Sequence, residues 1–136
     1  MLKMISGECL CSEVMYEIEN TFSRFFLCHC EQCRRISGSA FAANLFGDPA
    51  QFKWLDGEEK VRTFKLLNRD ITKAFCKNCG SGVPFFNTHQ TAVIVPAGSL
   101  NAEPHFSAQD KIFMNEQTDW CRAIDTAALF DTFPKE

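Results

Sequence analysis

Long hydrophobic runs are missing from this sequence. It contains no stretch of about 18 consecutive apolar residues, the length that a membrane-spanning helix requires, so we expect no membrane partner. No apolar run follows Lys3 near the N-terminus, so the sequence predicts no secretory signal. Together these two absences predict a cytoplasmic protein that is kept in a reducing compartment.

A strong excess of charge of one sign is also missing. The formal net charge is only −3, whereas nucleic-acid-binding domains usually carry a basic face, so we expect no nucleic-acid partner. The hydrophobic fraction of 46% is that of an ordinary globular chain, which argues against disorder. A chain of this length is expected to form a single domain over residues 1–136.

Helical periodicity is scarce, and short β-like runs separated by turns fill most of the chain. These runs cover residues 14–19, 25–28, 40–46, 52–55, 61–65, 71–75, 83–86 and 91–95. The residues 56–59 between two of the runs are predicted to form a hairpin loop. Helix signals are limited to a turn or so after Cys33 and to Asp125–Asp131. The pattern predicts a mostly-β, small antiparallel architecture with little helix, and argues against a doubly wound α/β fold.

Cysteine, in contrast, is abundant, with eight residues in the chain. In a reducing compartment, clustered cysteines more often bind metal or perform chemistry than form disulfides. Three groups and one isolated residue are present: Cys9 and Cys11; Cys28, Cys30 and Cys33; Cys76 and Cys79; and Cys121. This grouping predicts zinc sites, because zinc binds thiolates in tetrahedral geometry.

The first predicted site combines two cysteine pairs. If Cys9 and Cys11 lie on a strand, both side chains face the same side and can reach one ion. The C-x-x-C spacing of Cys76 and Cys79 turns both sulfurs toward one point, and Gly80 can adopt the positive φ that such a turn favours. Four thiolates leave no vacancy, so we expect a structural zinc at this site.

The second predicted site has three ligands, Cys28, Cys30 and Cys33. Three protein ligands and one open position are the pattern of catalytic zinc, which makes two zinc ions per chain in all. The open position can take a small thiol substrate as its thiolate. The pattern identifies no catalytic acid or base.

Other readings of these residues stay open. His29 would point away from the ion bound by its neighbours if the segment is extended. Cys121, or a histidine from elsewhere, would close the second site and make the protein a non-catalytic zinc-stabilised binding module. A thiol redox sensor built on the second cluster is a further alternative. We expect the lone Cys121 to be a small buried hydrophobic residue.

Polar residues just after the second cluster are candidate substrate ligands. Arg34 and Arg35 can bind a carboxylate, since a guanidinium matches that group. Ser39, in the run Ser37-Gly38-Ser39, can donate to an anionic ligand. A solvated basic pair and an ordinary turn are equally good readings of the same residues.

Taken together, these motifs are similar to those of a known family. The residues that carry the similarity are 7–11, 14, 16–17, 28–41 and 75–81, followed by 97–100, 112–113 and 120. The chain resembles the glutathione-dependent formaldehyde-activating enzyme family, which includes the centromere protein V group. It departs from the family at Ser12, where glycine is typical, and at Arg35, Asn101 and Lys111, where lysine, aspartate and histidine are common.

This resemblance implies a fold, two metal sites and an activity. The implied fold is a β-tent. The implied metals are a structural zinc at the two cysteine pairs and a second zinc at the C-x-C-x-x-C cysteines. The implied activity joins formaldehyde and glutathione into S-hydroxymethylglutathione. We therefore predict a zinc-dependent carbon–sulfur lyase-like enzyme acting on the adduct of an aldehyde with a small thiol of the glutathione type.

Overall fold

Antiparallel β-strands are the main regular elements of the structure. The computed structural model describes residues 3–67 and 69–134. The strands are β1 (Met4–Glu8), β2 (Met15–Glu19), β3 (Arg24–Cys28), β4 (Ala42–Gly47), β5 (Phe52–Asp56), β6 (Val61–Leu66), β7 (Ile71–Cys76), β8 (Gly82–Val83), β9 (Phe85–Phe86), β10 (Val93–Pro96) and β11 (Gln109–Ile112). The α-helices are α1 (Glu31–Ser37) and α2 (Asp119–Arg122), and short 3-10 turns connect several strands. The predicted fold class, a mostly-β, small antiparallel architecture with little helix, is confirmed.

The strands form three sheets. Their orders are β1-β2-β5, β11-β3-β4-β10-β9 and β6-β7-β8. Among the described strands, all pairings are antiparallel except that of β11 with β3, which is parallel and places Ile112 opposite Cys28. The five-stranded sheet therefore brings a late segment of the chain beside the second cysteine cluster.

The larger hydrophobic core lies between the first two sheets. Alternating residues of β2, Tyr16 and Ile18, are fully buried and pack with Leu45, Val93 and Val95. The hydroxyl of Tyr16 forms a hydrogen bond of 2.6 Å with the Ser99 hydroxyl, so its polar atom has a partner. Burial raises the pKa of Tyr16 to about 12. This core anchors β1, which leads into Cys9, and β3, which ends at Cys28.

A second, smaller core surrounds the first and third cysteine groups. Cys9 and Cys76 are buried with Val14, Ala74 and Val83. Cys11 and Cys79 pack against the same cluster, so the cysteines themselves form much of this core.

The predicted hairpin at residues 56–59 is wrong. Strand β5 pairs with β2, and β6 pairs with β7, so the two flanking strands belong to different sheets. Gly57 has φ of 78° and lies so close to Glu13 that a Cβ would be 1.9 Å from the Glu13 carbonyl oxygen. The loop therefore packs on the β1–β2 connection instead of closing a hairpin.

The helix predictions are partly wrong. Helix α1 begins at Glu31, before Cys33 and not after it. In the predicted segment Asp125–Asp131, the regular structure is limited to a 3-10 turn at Ile124–Thr126. Leu129 is 95% exposed, so this segment has no buried face to stabilise a helix. The run 83–86 is divided by Pro84 into β8 and β9, because proline cannot donate a ladder hydrogen bond.

Replacement of Gly7 by alanine is expected to destabilise the fold. A Cβ at Gly7 would lie 2.3 Å from the Tyr16 ring and 2.7 Å from the Ser99 carbonyl oxygen. Overpacking of this kind costs about 1–3 kcal/mol, so the melting temperature should fall by several degrees. The matched control is Gly98→Ala, whose Cβ would meet no atom within 4 Å. Equal melting temperatures for the two variants would contradict this account.

Candidate metal centre

The first cysteine cluster joins two turns that are far apart in sequence. Cys9 and Cys11 lie in the turn after β1, while Cys76 ends β7 and Cys79 lies in the turn that follows. All four sulfurs are within 4.8 Å of one another. The expectation that Cys9 and Cys11 share a strand face is wrong, because the chain leaves β1 at Glu8 and turns.

The sulfur spacing in this cluster fits a tetrahedral ion. The Sγ atoms of Cys9 and Cys11 are 3.6 Å apart, and those of Cys11 and Cys76 are 3.8 Å apart. A zinc ion bound to sulfur at about 2.3 Å keeps its ligands about 3.8 Å apart in tetrahedral geometry. The four thiols are free and are not joined as disulfides. The donor set therefore fits a zinc ion.

Both turns of the first cluster use a left-handed residue. Ser12 has φ of 65° and Gly80 has φ of 78°, each just after the second cysteine of its pair. The turns close with hydrogen bonds from Ser12 N to Cys9 O, 3.0 Å, and from Gly80 N to Cys76 O, 2.8 Å. The left-handed conformation at position 12 explains why glycine suits this position.

Hydrogen bonds to the sulfurs of this cluster favour the thiolate form, which is the form that binds a cation. Backbone N–H groups of Val14 and Asn78 donate to the sulfurs of Cys9 and Cys76 at 3.3 and 3.4 Å. Hydrogen bonds from Ser81 lower the pKa of Cys79 to about 5. The Ser81 hydroxyl also accepts from the backbone N–H of Leu10, which links the two turns directly.

The second cluster lies where β3 passes into α1. Cys28 ends the strand, and Cys30 is the N-cap residue of the helix, with its sulfur accepting from the Cys33 backbone N–H at 3.4 Å. The backbone at Cys30 is extended, and Cys33 lies in the first turn of the helix. The three sulfurs are within 4.8 Å of one another, so this donor set also fits a metal ion.

Burial raises the pKa of Cys28 and of Cys33. Desolvation penalises the thiolate form, and the neighbouring sulfurs of the cluster oppose a further negative charge at Cys33. A cation is therefore needed to hold these sulfurs as thiolates, and its binding releases protons.

A cavity of about 370 Å³ opens beside the second cluster. Both Cys28 and Cys33 line it, together with residues of β4, β7, β8 and β10. None of the four cysteines of the first cluster is among its described lining residues. The two clusters thus differ in their contact with this cavity as well as in ligand number.

The predicted substrate ligands Arg34, Arg35 and Ser39 are not among the described lining residues of this cavity. Arg35 is exposed and pairs with Glu31 at 3.1 Å, one helical turn away. Arg34 is half-buried, and its Nε has no hydrogen-bond partner among the described residues. Ser39 is exposed and donates its backbone N–H to the Ser37 hydroxyl. Their role in substrate binding stays a prediction.

The histidines and Cys121 lie outside both clusters of the described chain. His29 is buried, donates from Nδ1 to the Leu27 carbonyl oxygen at 2.8 Å, and packs on the Phe41 ring. Cys121 is buried in α2, where its sulfur accepts from the Gln117 amide at 3.4 Å. His89 and His105 are exposed. The geometry therefore agrees with three sulfurs, not four, at the second cluster.

Sequence reasoning missed two contributors to this region. Lys73 lines the cavity from the middle of β7, where an alternating strand pattern gave no sign of function. Glu116 accepts from the Glu31 backbone N–H at 3.2 Å and so caps α1 from a distant segment. Phe113, whose carbonyl oxygen accepts a hydrogen bond from the Glu116 backbone N–H, has φ of 56°, a strained value for a bulky residue.

The described part of the chain contains no helix long and apolar enough to cross a membrane.

Comparison with known proteins agrees with this geometry. A protein from Rhodobacter sphaeroides of solved crystal structure, a structural genomics target, has the same fold. It is 19% identical, with a TM-score of 0.59 over 75% of this chain and 99% of that chain. The family model described as glutathione-dependent formaldehyde-activating enzyme matches residues 4–116, which include seven of the eight cysteines. The chain therefore belongs to the glutathione-dependent formaldehyde-activating enzyme family.

Proposed function

We propose that this protein is a zinc enzyme that joins a small thiol of the glutathione type to an aldehyde, and also catalyses the reverse cleavage. One observation carries the proposal: sulfur-bearing residues of the three-cysteine cluster line the cavity, whereas none of the four cysteines of the first cluster is among its described lining residues. Family membership supports the choice of thiol and aldehyde as reactants. The first cluster, Cys9, Cys11, Cys76 and Cys79, then has a structural role.

The residues of the second cluster would hold the catalytic ion. Cys28, Cys30 and Cys33 supply three sulfurs, and the cavity gives a substrate access to them. A zinc ion held there supplies Lewis acidity, which stabilises a substrate thiol as its thiolate. The helix cap formed by Cys30 fixes the cluster in position before any substrate arrives.

The reaction itself is balanced without an oxidant or reductant. The thiol sulfur adds to the carbonyl carbon and a carbon–sulfur bond forms. The carbonyl π electrons move to oxygen, which takes up a proton in place of the one that the thiol gave up. The mainly apolar cavity walls lower the polarity around the reacting groups, which would strengthen electrostatic interactions there.

The test combines metal content with catalysis. Protein purified without chelator should contain two zinc ions per chain, one for each cluster. Such protein should accelerate the approach to equilibrium between glutathione and formaldehyde, followed by NMR. In cobalt-substituted protein, glutathione should change the sulfur-to-cobalt absorption. Fully metallated protein that shows neither effect would contradict the proposed function.

A further inference from the structure

The cavity beside the second cluster is much larger than formaldehyde requires. Its volume is about 370 Å³. A buried apolar cavity of about 150 Å³ already takes up benzene, so this one has room for a ring or for a chain of several carbons. A site that served only a one-carbon aldehyde would leave most of this space unused.

The walls of the cavity are mainly apolar. Aromatic side chains reach it from three strands and from the segment after α1, and several isoleucines also line it. Large apolar residues of the lining include Phe26, Phe41, Phe46, Phe85, Ile94 and Ile112. The peptide part of glutathione carries two carboxylates and an ammonium group, and the described lining holds a single lysine or arginine. At least one of the two carboxylates would therefore lose its hydration there without a cationic partner. An apolar carbon skeleton fits the cavity better.

One cation faces this apolar space. Lys73 is the single lysine or arginine among the described lining residues. Its Nζ donates to the Ile36 carbonyl oxygen at 3.4 Å, and no described carboxylate forms an ion pair with it. Burial lowers the pKa of Lys73, so an anion bound beside it would stabilise the charged form. The single carboxylate of the described lining, Asp70, is exposed and accepts a hydrogen bond from Thr88.

We infer that the cavity holds the carbon skeleton of the aldehyde, and that the preferred aldehydes have an apolar chain or ring ending in a carboxylate that pairs with Lys73. The inference rests on the proposed function, since it assigns the aldehyde carbon to the side of the cavity formed by Cys28 and Cys33. The thiol partner then extends from the cluster toward solvent.

Binding of unreactive carboxylates tests this inference without catalysis. Acetate, butyrate and hexanoate are titrated into fully metallated protein by calorimetry. Affinity should rise about tenfold for each two methylenes that enter the apolar cavity. Lys73→Met should weaken hexanoate binding at least tenfold, whereas Lys73→Arg should retain it. Affinity that does not depend on chain length, or that is unchanged in Lys73→Met, would overturn the inference.

Kinetics with matched aldehydes separate this inference from the proposed function. With glutathione, 6-oxohexanoate should have a kcat/KM at least tenfold above hexanal, and hexanal should exceed formaldehyde. The ratio of kcat/KM for 6-oxohexanoate to kcat/KM for hexanal should fall toward one in Lys73→Met. It should persist in Lys73→Arg, because arginine keeps the positive charge but cannot form an imine. Turnover of formaldehyde in preference to both larger aldehydes would overturn the inference and leave the proposed function standing. Hexanoate binding with no turnover of any aldehyde would overturn both.

Discussion

Replacement of Cys76 by serine is expected to unfold the protein at room temperature. Cys76 is fully buried, and its sulfur is 3.8 Å from that of Cys11 in the four-cysteine cluster. Structural zinc contributes about 10–16 kcal/mol in zinc-finger peptides, which matches or exceeds the whole stability of many domains. The variant should lose one metal ion, and its circular dichroism should show no cooperative thermal transition.

The matched control for this prediction is Cys121→Ser. Cys121 is also buried, so the change from sulfur to oxygen carries a similar desolvation cost of about 1–3 kcal/mol. It lies outside both clusters of the described residues, so this variant should keep both metal ions and a cooperative transition. A Cys76→Ser protein as stable as Cys121→Ser would show that the first cluster does not hold a structural metal.

Replacement of Cys33 by serine is expected to abolish activity but to leave the protein folded. Cys33 supplies a sulfur that lines the cavity. Its backbone N–H, which donates to the Cys30 sulfur, is still present in the variant. Loss of the second metal ion removes several kcal/mol of transition-state stabilisation, which corresponds to a rate decrease on the order of a hundredfold or more. Metal content should fall from two ions per chain to one.

The same control variant also tests the alternatives to an enzyme. If Cys121→Ser also loses one metal ion, the second site has four protein ligands and the non-catalytic binding module is the better account. If Cys33→Ser keeps both ions and its activity, the cluster assignment is wrong. The redox-sensor alternative requires that mild peroxide converts the thiols of the second cluster to disulfides, which mass spectrometry detects.

The grouping of the cysteines could be predicted from sequence because their spacing reflects local geometry. Pairs such as Cys76 and Cys79 converge through one turn, and the structure gathers them as expected. The strands of the core were equally visible, since β2 alternates between buried and half-buried positions along Met15–Glu19. Both signals depend only on residues close together in the chain.

The remaining features depend on contacts between distant segments. Strand β11 is polar and mostly exposed, so its parallel pairing with β3 has no signature of its own. Helix α1 is capped by Cys30, a residue type that is not a usual N-cap, and by the distant Glu116. The cavity is lined by segments from Phe26 to Ile112, and no local pattern indicates such a space.

The cysteines of the two clusters are separated by different lengths of chain, and this affects the order in which the clusters can form. Cys11 and Cys76 are separated by 65 residues, whereas Cys28 to Cys33 is a single local segment. Closing the longer loop costs roughly 2 kcal/mol more in chain entropy. During synthesis the three-cysteine segment emerges complete long before Cys79 leaves the ribosome. The local cluster can therefore form first on a nascent chain, while the four-cysteine cluster forms only when the two turns meet. Metal entry at the four-cysteine cluster would then depend on tertiary folding, whereas metal entry at the local cluster would not.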